Sequence, residues 1–277
     1  MNEQSARQKT IWIVGAVVIL VYTLIPVAWI LSLSLKPPTE LSNASFFPTH
    51  WSLTNYRTVF KTNLFTSALR NSICIVLIST ASSVVLATFA AYGIARLDFP
   101  GKRFILSVAL AIAAFPVVSL VSPLFTMWRA IHLFDTWPGV IIPLVSFSLP
   151  LSIWTLAAFF REIPWEMEQA AQVDGATNWQ AFRKVIVPLA APGVFTAAIL
   201  AFFAGWNDFV FGVALTSTSH ARTVPAALAF FTGASEFQSP ITAIAAAAVV
   251  VTVPVVLIVL LFQRRIVAGL TNGAVKG

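Results

Sequence analysis

The sequence predicts an all-α, polytopic membrane protein with six transmembrane helices and a helix-turn-helix loop between the fourth and the fifth. Two observations lead to this fold class. Of the 277 residues, 58% are hydrophobic and only 10% are charged, against about 45–50% and about 25% in soluble domains. Several charge-free stretches are also long enough to cross a bilayer core of about 30 Å as helices. The same composition excludes a soluble globular domain and a disordered chain.

Six stretches lack Asp, Glu, Lys and Arg over the length of a membrane helix. They are Ile11–Leu35, Asn71–Ala95, Phe104–Trp128, Thr136–Phe160, Val185–Asn207 and Phe237–Gln263. Lipid offers no partners to backbone N–H and C=O groups, so each stretch is predicted to be helical. We interpret most of the prolines in these spans as shaping the helices and not as hinges. The whole chain, 1–277, is expected to form one transmembrane domain.

The basic residues predict the orientation of the chain. Six spans place both termini on one side, and Lys and Arg concentrate there, most clearly in Arg96–Arg103 and Arg264–Arg265. This bias predicts cytoplasmic termini in the plasma (inner) membrane. We attribute the net charge of +7 to contact with membrane lipid and not to nucleic acid. The polar segment 36–66 would then form an external cap with a short helix from about Thr54.

Segment 161–187, between the fourth and fifth spans, carries the strongest local signal. Acidic residues after Pro164 favour the start of a helix, and Gly175 suits a left-handed stop. Thr177 and Gln180 then form a capping-box pattern for a second helix that runs into the fifth span. Small residues around Gly175 permit close approach by another backbone. The residues alone leave two interpretations open: a docking loop for a soluble partner, or a loop lying on the bilayer surface.

This loop resembles the EAA loop of permease subunits of bacterial ABC importers. The family pattern is Glu-Ala-Ala, three residues and Gly, and it stands here as Gln169-Ala170-Ala171-Gln172-Val173-Asp174-Gly175. Gln169 replaces the family glutamate. The likeness covers nearly the whole chain and is to the carbohydrate branch, as shown by the C-terminal segment 269–277, Gly-Leu-Thr-Asn-Gly-Ala-Val-Lys-Gly. Overall similarity to actinobacterial trehalose importers implies a disaccharide substrate. Maltose-type or other oligosaccharides and glycerol-phosphate-type solutes are the alternatives.

The resemblance implies a division of labour between subunits. A second homologous permease would complete the pathway, an extracytoplasmic sugar-binding (lipo)protein would deliver sugar, and a dimer of ATP-binding cassette ATPases would grip segment 161–187. No G-x-x-x-x-G-K-[ST] phosphate loop occurs in the chain, so ATP and magnesium are expected on the ATPase. We expect no catalytic residue, cofactor or metal here. The implied coupling residues are Glu168, Gln169, Ala170, Ala171, Asp174, Gly175, Ala176 and Phe182.

A second set of residues is a candidate for the substrate pathway. Asp208 is the only Asp, Glu, Lys or Arg between Val185 and Ala221, and an acid in a membrane segment suggests function. With Trp206 and Asn207 it offers a ring, an amide and a carboxylate, which suit a sugar. Asp208 could equally cap a helix end. Ser119 and Ser122, between two prolines of the third span, complete the set.

Other function classes fit less well. An intramembrane enzyme would need a nucleophile and a base within the spans, and no histidine lies in them. An ion-coupled secondary transporter would place several ionisable residues at mid-membrane and show repeated halves. A membrane assembly scaffold is the remaining alternative, and an ATPase that co-purifies with the chain would argue against it.

Overall fold

The computed structural model describes residues 6–40, 45–231 and 240–274, with side chains over 8–40, 45–231 and 240–262. In these ranges the chain is helical and contains no strand, which confirms the predicted fold class. The helices are α1 Ala6–Leu35, α2 Thr54–Lys61, α3 Asn63–Arg96, α4 Lys102–Ala113, α5 Val117–Ala130, α6 Trp137–Glu162, α7 Trp165–Val173, α8 Asn178–Ala181, α9 Val187–Leu189, α10 Ala191–Trp206, α11 Val210–Leu215, α12 Val224–Ala229 and α13 Ile241–Ala274. A π-helical turn, Phe182–Ile186, joins α8 to α9.

Four of these helices, α1, α3, α6 and α13, are unbroken and are long and apolar enough to cross a membrane. Two more spans are bent pairs: α4 and α5 meet at 87°, and the segment Asn178–Leu189 meets α10 at 71°. Counting each pair as one span gives the predicted six. Within the third and fifth spans the chain bends, before Pro116 and at Ala190 respectively.

The ends of the chain lie partly outside the described residues. The sixth span was predicted from Phe237, which falls in the undescribed segment 232–239, and the described helix begins at Ile241. The side chains of Arg264 and Arg265 and of the C-terminal motif 269–277 are likewise outside the described set. The charge bias and the family motif at this end therefore stay sequence observations.

The chain divides into two compact units, residues 1–66 with 228–253, and 67–227 with 254–277. In the first unit, Asn55 is buried and donates hydrogen bonds to the carbonyls of Ser34 (2.9 Å) and Lys36 (2.7 Å). Its amide oxygen accepts a bond from Thr242 Oγ1 at 3.0 Å. The predicted helix start at Thr54 is confirmed. The external position of segment 36–66 and the single-domain organisation stay predictions.

In the second unit, α3, α6 and α10 pack through small and aromatic side chains. Ala91, Leu156, Phe160 and Ala197 lie in one buried cluster. Gly193 allows the close approach of α10 to α6, since a Cβ there would lie 2.4 Å from Phe159 Cγ. A second cluster joins α5, α6 and α11. The two clusters are built from apolar faces, and polar contacts are concentrated at the helix ends.

At one end of this unit, polar side chains form a group of hydrogen bonds around the N-terminal part of α3. Asn71 Nδ2 donates to the carbonyls of Ser219 and Arg222, at 2.9 and 3.2 Å. Asp135 Oδ1 accepts from the backbone N–H groups of Ser217 and Thr218, at 2.9 and 3.1 Å. Burial alone would raise the pKa of Asp135, but these bonds and that from the Thr218 hydroxyl outweigh it and hold the pKa below its ordinary value. The loop after α11 is thereby tied to α3 and to the α5–α6 turn.

Candidate functional site

The segment from α7 to α8 is a rigid helix-turn-helix. Gly175 has φ +88°, a left-handed conformation that favours glycine. The N–H of Ala176 donates to the carbonyl of Ala171 at 2.9 Å, and that of Gly175 to Gln172 at 3.0 Å. These two bonds satisfy carbonyls that a helix end leaves free, in the Schellman arrangement. The predicted glycine stop is confirmed.

The second helix is capped as the sequence predicts. Gln180 N donates to Thr177 Oγ1 at 3.3 Å, and Thr177 N donates to Gln180 Oε1 at 2.9 Å. Gln172 Nε2 also donates to Asn178 Oδ1 at 3.2 Å, which links the two helices directly. These bonds hold the turn from both sides. The chain runs from α8 through the π-helical turn and α9 into α10, as predicted, and it bends by 71° at Ala190.

The predicted coupling residues divide into two groups. Gln169, Ala170, Asp174 and Gly175 are exposed, and Ala171 and Ala176 are half-buried. Val173, at the end of α7, is 88% exposed. Glu168 and Phe182 are buried, so their side chains face the chain itself and not a partner. The surface that faces outward around the turn thus consists of small residues and Val173, together with the polar Gln169 and Asp174.

Glu168 lies against the C-terminal end of α3. Tyr92 OH donates to Glu168 Oε1 at 2.5 Å, and Arg96 Nε lies 3.6 Å from Glu168 Oε2. Tyr92 also packs on Phe182, with ring centroids 4.6 Å apart, and Phe182 packs on Trp179. Tyr92 is therefore an internal contact between α3 and the loop.

The three consecutive pathway candidates, at positions 206 to 208, all make contacts with nearby residues of the chain. Trp206 is buried and stacks on Phe202, with centroids 5.4 Å apart. Asn207 Nδ2 donates to the carbonyl of Phe203 at 2.9 Å. Asp208 accepts from the N–H groups at positions 211 (3.3 Å) and 212 (3.0 Å), so it caps the start of α11. The capping interpretation of Asp208 accounts for its contacts.

The two serine candidates have a different setting. Ser119 and Ser122 are exposed on α5, beyond the bend at Pro116. The Ser122 carbonyl accepts from Thr126 Oγ1 at 3.1 Å. Helix α11 packs on α5 and α6 through Phe211, so the Asp208 cap orients an element that supports α5.

No group of three His, Cys, Asp or Glu among the described residues could hold a metal ion.

Sequence reasoning missed the contact between α3 and α7. Tyr92 and Arg96 are four residues apart and so share one face of the helix. A tyrosine and an arginine spaced in this way at the end of an apolar span are the signal that could have indicated a polar partner. The identity of that partner, Glu168, required the fold.

Comparison with known proteins defines the class of this chain. A family model described as "Binding-protein-dependent transport system inner membrane component" matches residues 83–272, and the chain belongs to that family. It is a membrane permease subunit of the ABC importers, a class of subunit that is not catalytic. The resemblance inferred from the loop is thereby confirmed.

Individual relatives narrow the comparison to sugar permeases. The chain is 57% identical over 98% of its length to the trehalose transport system permease protein SugB of Mycobacterium tuberculosis, covering 99% of that protein. It is 40% identical over 97% of its length to the sulfoquinovosyl glycerol transport system permease protein SmoH of Agrobacterium fabrum, covering 94% of it. Among solved structures, a chain of a bacterial ABC transporter for alginate import matches with a TM-score of 0.80 at 23% identity, over 95% of this chain and 99% of that one. This last likeness shows the shared fold.

Proposed function

We propose that this chain forms half of the translocation pathway for a disaccharide, with trehalose as the substrate, and that segment 161–187 couples it to an ATPase. The substrate is supported by the 57% identity to a trehalose permease. The family accounts for the other half of the pathway, which a second homologous permease would supply. Both termini and the loop would be cytoplasmic, as the basic residues at Arg96–Arg103 indicate.

The single observation that carries the coupling role is the exposed, doubly capped turn at Gly175. Its backbone is fixed by the Schellman bonds and by the capping box at Thr177. Its outer surface presents small residues and the exposed Val173. A protrusion with a fixed backbone, little side-chain bulk and an exposed valine suits insertion into a cleft of a soluble protein, where exposed apolar surface becomes buried.

The energy source and the delivery of sugar lie in partner proteins. An ATPase dimer would bind ATP and magnesium, since this chain has no phosphate loop. Its closure would displace α7 and α8 and switch the pathway by rigid-body rotation. An extracytoplasmic sugar-binding lipoprotein would dock on the opposite side, near segment 36–66. Membrane lipid would cover the exposed apolar surface of α1.

The contacts of the candidate pathway residues support a substrate-binding role for some of them and not for others. Ser119 and Ser122 are exposed, which supports a role for their hydroxyls as contacts to substrate or to the second permease. Trp206, Asn207 and Asp208 make local contacts that already account for them. We therefore propose the serines as contacts and the other three as support for the helices beside the pathway.

Reconstitution with the two permeases, the ATPase and the binding protein tests this function. We expect labelled trehalose to enter proteoliposomes only with ATP, and unlabelled trehalose to compete better than maltose. An ATPase subunit with its phosphate-loop lysine replaced is the matched control and should abolish uptake. Uptake that proceeds without the ATPase would contradict the proposal, and stronger competition by maltose would overturn the substrate.

A further inference from the structure

We propose that Arg96 and Glu168, together with Tyr92, form a latch through which movement of α7 is passed to α3. This inference rests on the proposed docking of segment 161–187 and extends it. Docking concerns the outer surface of the loop. The latch concerns its inner surface, where the loop meets the long helix that runs through the second unit.

The carboxylate of Glu168 is enclosed by α3. The side chains of Arg96 and Glu168 are only 3% and 7% exposed, and Nε and Oε2 lie 3.6 Å apart. The other carboxylate oxygen accepts a hydrogen bond from Tyr92. Neither Arg96 Nε nor Glu168 Oε2 has a hydrogen-bond partner among the described residues. In this desolvated setting each charge depends on the other for compensation.

Arg96 also holds the start of α7. Its Nη2 donates to the carbonyl of Ile163 at 2.9 Å, and its guanidinium lies 4.6 Å from the centre of the Trp165 ring. One arginine at the end of α3 therefore contacts Ile163, two positions before α7, and Trp165, the first residue of α7. It also lies against Glu168, the fourth residue of that helix. Contacts of three kinds keep α7 from moving without α3.

Helix α3 connects the latch to the opposite end of the second unit. Arg96 ends the helix at one side, and Asn71 holds the carbonyls of Ser219 and Arg222 at the other. At 1.5 Å per residue, the two positions lie about 37 Å apart along the helix. A displacement of α7 would thus move the loop at the far end of the unit. Buried ion pairs stabilise folds poorly compared with apolar residues, and a mechanical role explains why a charged pair stands here.

The test uses the complete transporter in proteoliposomes, with sugar uptake and ATP hydrolysis measured on the same preparation. For Glu168→Gln and for Arg96→Met we expect the ATPase to co-purify and to hydrolyse ATP, while sugar moved per ATP falls about tenfold or more. Asp98→Asn is the matched control, since it breaks an exposed ion pair with Lys102, 3.1 Å long, two residues after Arg96. The control should keep the wild-type ratio.

The double variant Arg96→Met with Glu168→Gln separates the latch from a structural role. Removing both charges relieves the uncompensated burial, so thermal stability should return toward wild type. A latch predicts that the sugar-to-ATP ratio nevertheless stays about tenfold low. Recovery of the ratio together with stability, or a wild-type ratio in Glu168→Gln, would overturn the proposal.

A milder variant covers the case in which the charge variants fail to insert. Tyr92→Phe removes one hydroxyl and should lower the ratio about tenfold, the scale of one lost hydrogen bond to a charged group. A wild-type ratio would overturn the latch. These outcomes are distinct from failure of the proposed function, in which the wild-type complex itself would show no ATP-driven uptake.

Discussion

Replacement of Gly175 tests the coupling role with a magnitude that the structure sets. An L-residue in the left-handed conformation costs about 1–2 kcal/mol, and Gly175 has φ +88°. A Cβ added there would meet no atom of the chain within 4 Å, so no steric term is added within the subunit. The strain corresponds to roughly a 5- to 30-fold change in population of the native turn. Any larger loss of uptake must arise from contact with a partner.

Three substitutions separate strain from bulk. Gly175→Asn adds a side chain that tolerates the left-handed region, Gly175→Ala adds strain without bulk, and Gly175→Leu adds both. If the turn fits closely into a cleft, uptake should be low for all three and absent for Gly175→Leu, with the subunit still inserted. If only the backbone conformation matters, Gly175→Asn should approach wild type. The assays are ATP-driven uptake in proteoliposomes, and membrane insertion checked by extraction and blotting.

One result would refute the reasoning. Normal uptake by Gly175→Leu would mean that neither the left-handed turn nor the clear surface around it is needed. Exposed Leu97, which follows α3 outside the loop, supplies the matched control as Leu97→Ala and should leave uptake unchanged. Equal losses in both variants would point to general damage.

Three further predictions concern other contacts of the second unit. Asp208→Ala should lower stability by about 1 kcal/mol through loss of a helix cap, and Asp208→Asn should retain most of that stability. An unchanged melting temperature in Asp208→Ala would contradict the capping role. Gly193→Ala should cost about 1–3 kcal/mol by overpacking Phe159, and adding Phe159→Leu should restore part of it, whereas an unchanged melting temperature would contradict the packing. The depressed pKa of Asp135 means that its ionised form stabilises the attached loop above its ordinary pKa of about 4, and that this contribution is lost as pH falls through the folded value. The protection factor of the Thr218 amide, which is its exchange rate corrected for the intrinsic rate at each pH, should therefore fall in acid, and the same fall in Asp135→Asn would refute the assignment.

The local elements of the loop could be predicted because their signals are local. The left-handed stop at Gly175 and the capping box of Thr177 and Gln180 involve residues at most five apart, and all were confirmed. The apolar spans were equally visible, since composition alone determines which segments can cross lipid. The bend before Pro116 was not, because a proline in a membrane helix is compatible with either a gentle kink or a break.

Long-range contacts explain the remaining differences. Glu168 looked like part of an exposed docking surface, yet it is buried against Arg96, 72 positions earlier in the chain. No periodicity links two such distant residues. Asp208 looked like a possible sugar ligand because acids are costly in membranes. Its contacts with two backbone N–H groups show how a short helix after a span can satisfy that charge.

The most direct test compares uptake by this chain alone with uptake by the complete assembly in the same vesicles. The account predicts no sugar entry through the isolated chain, with or without a proton or sodium gradient. It predicts ATP-dependent entry once the second permease, the ATPase and the binding protein are present. Gradient-driven entry through the chain alone would contradict the central claim that this subunit is moved by an external ATPase through segment 161–187.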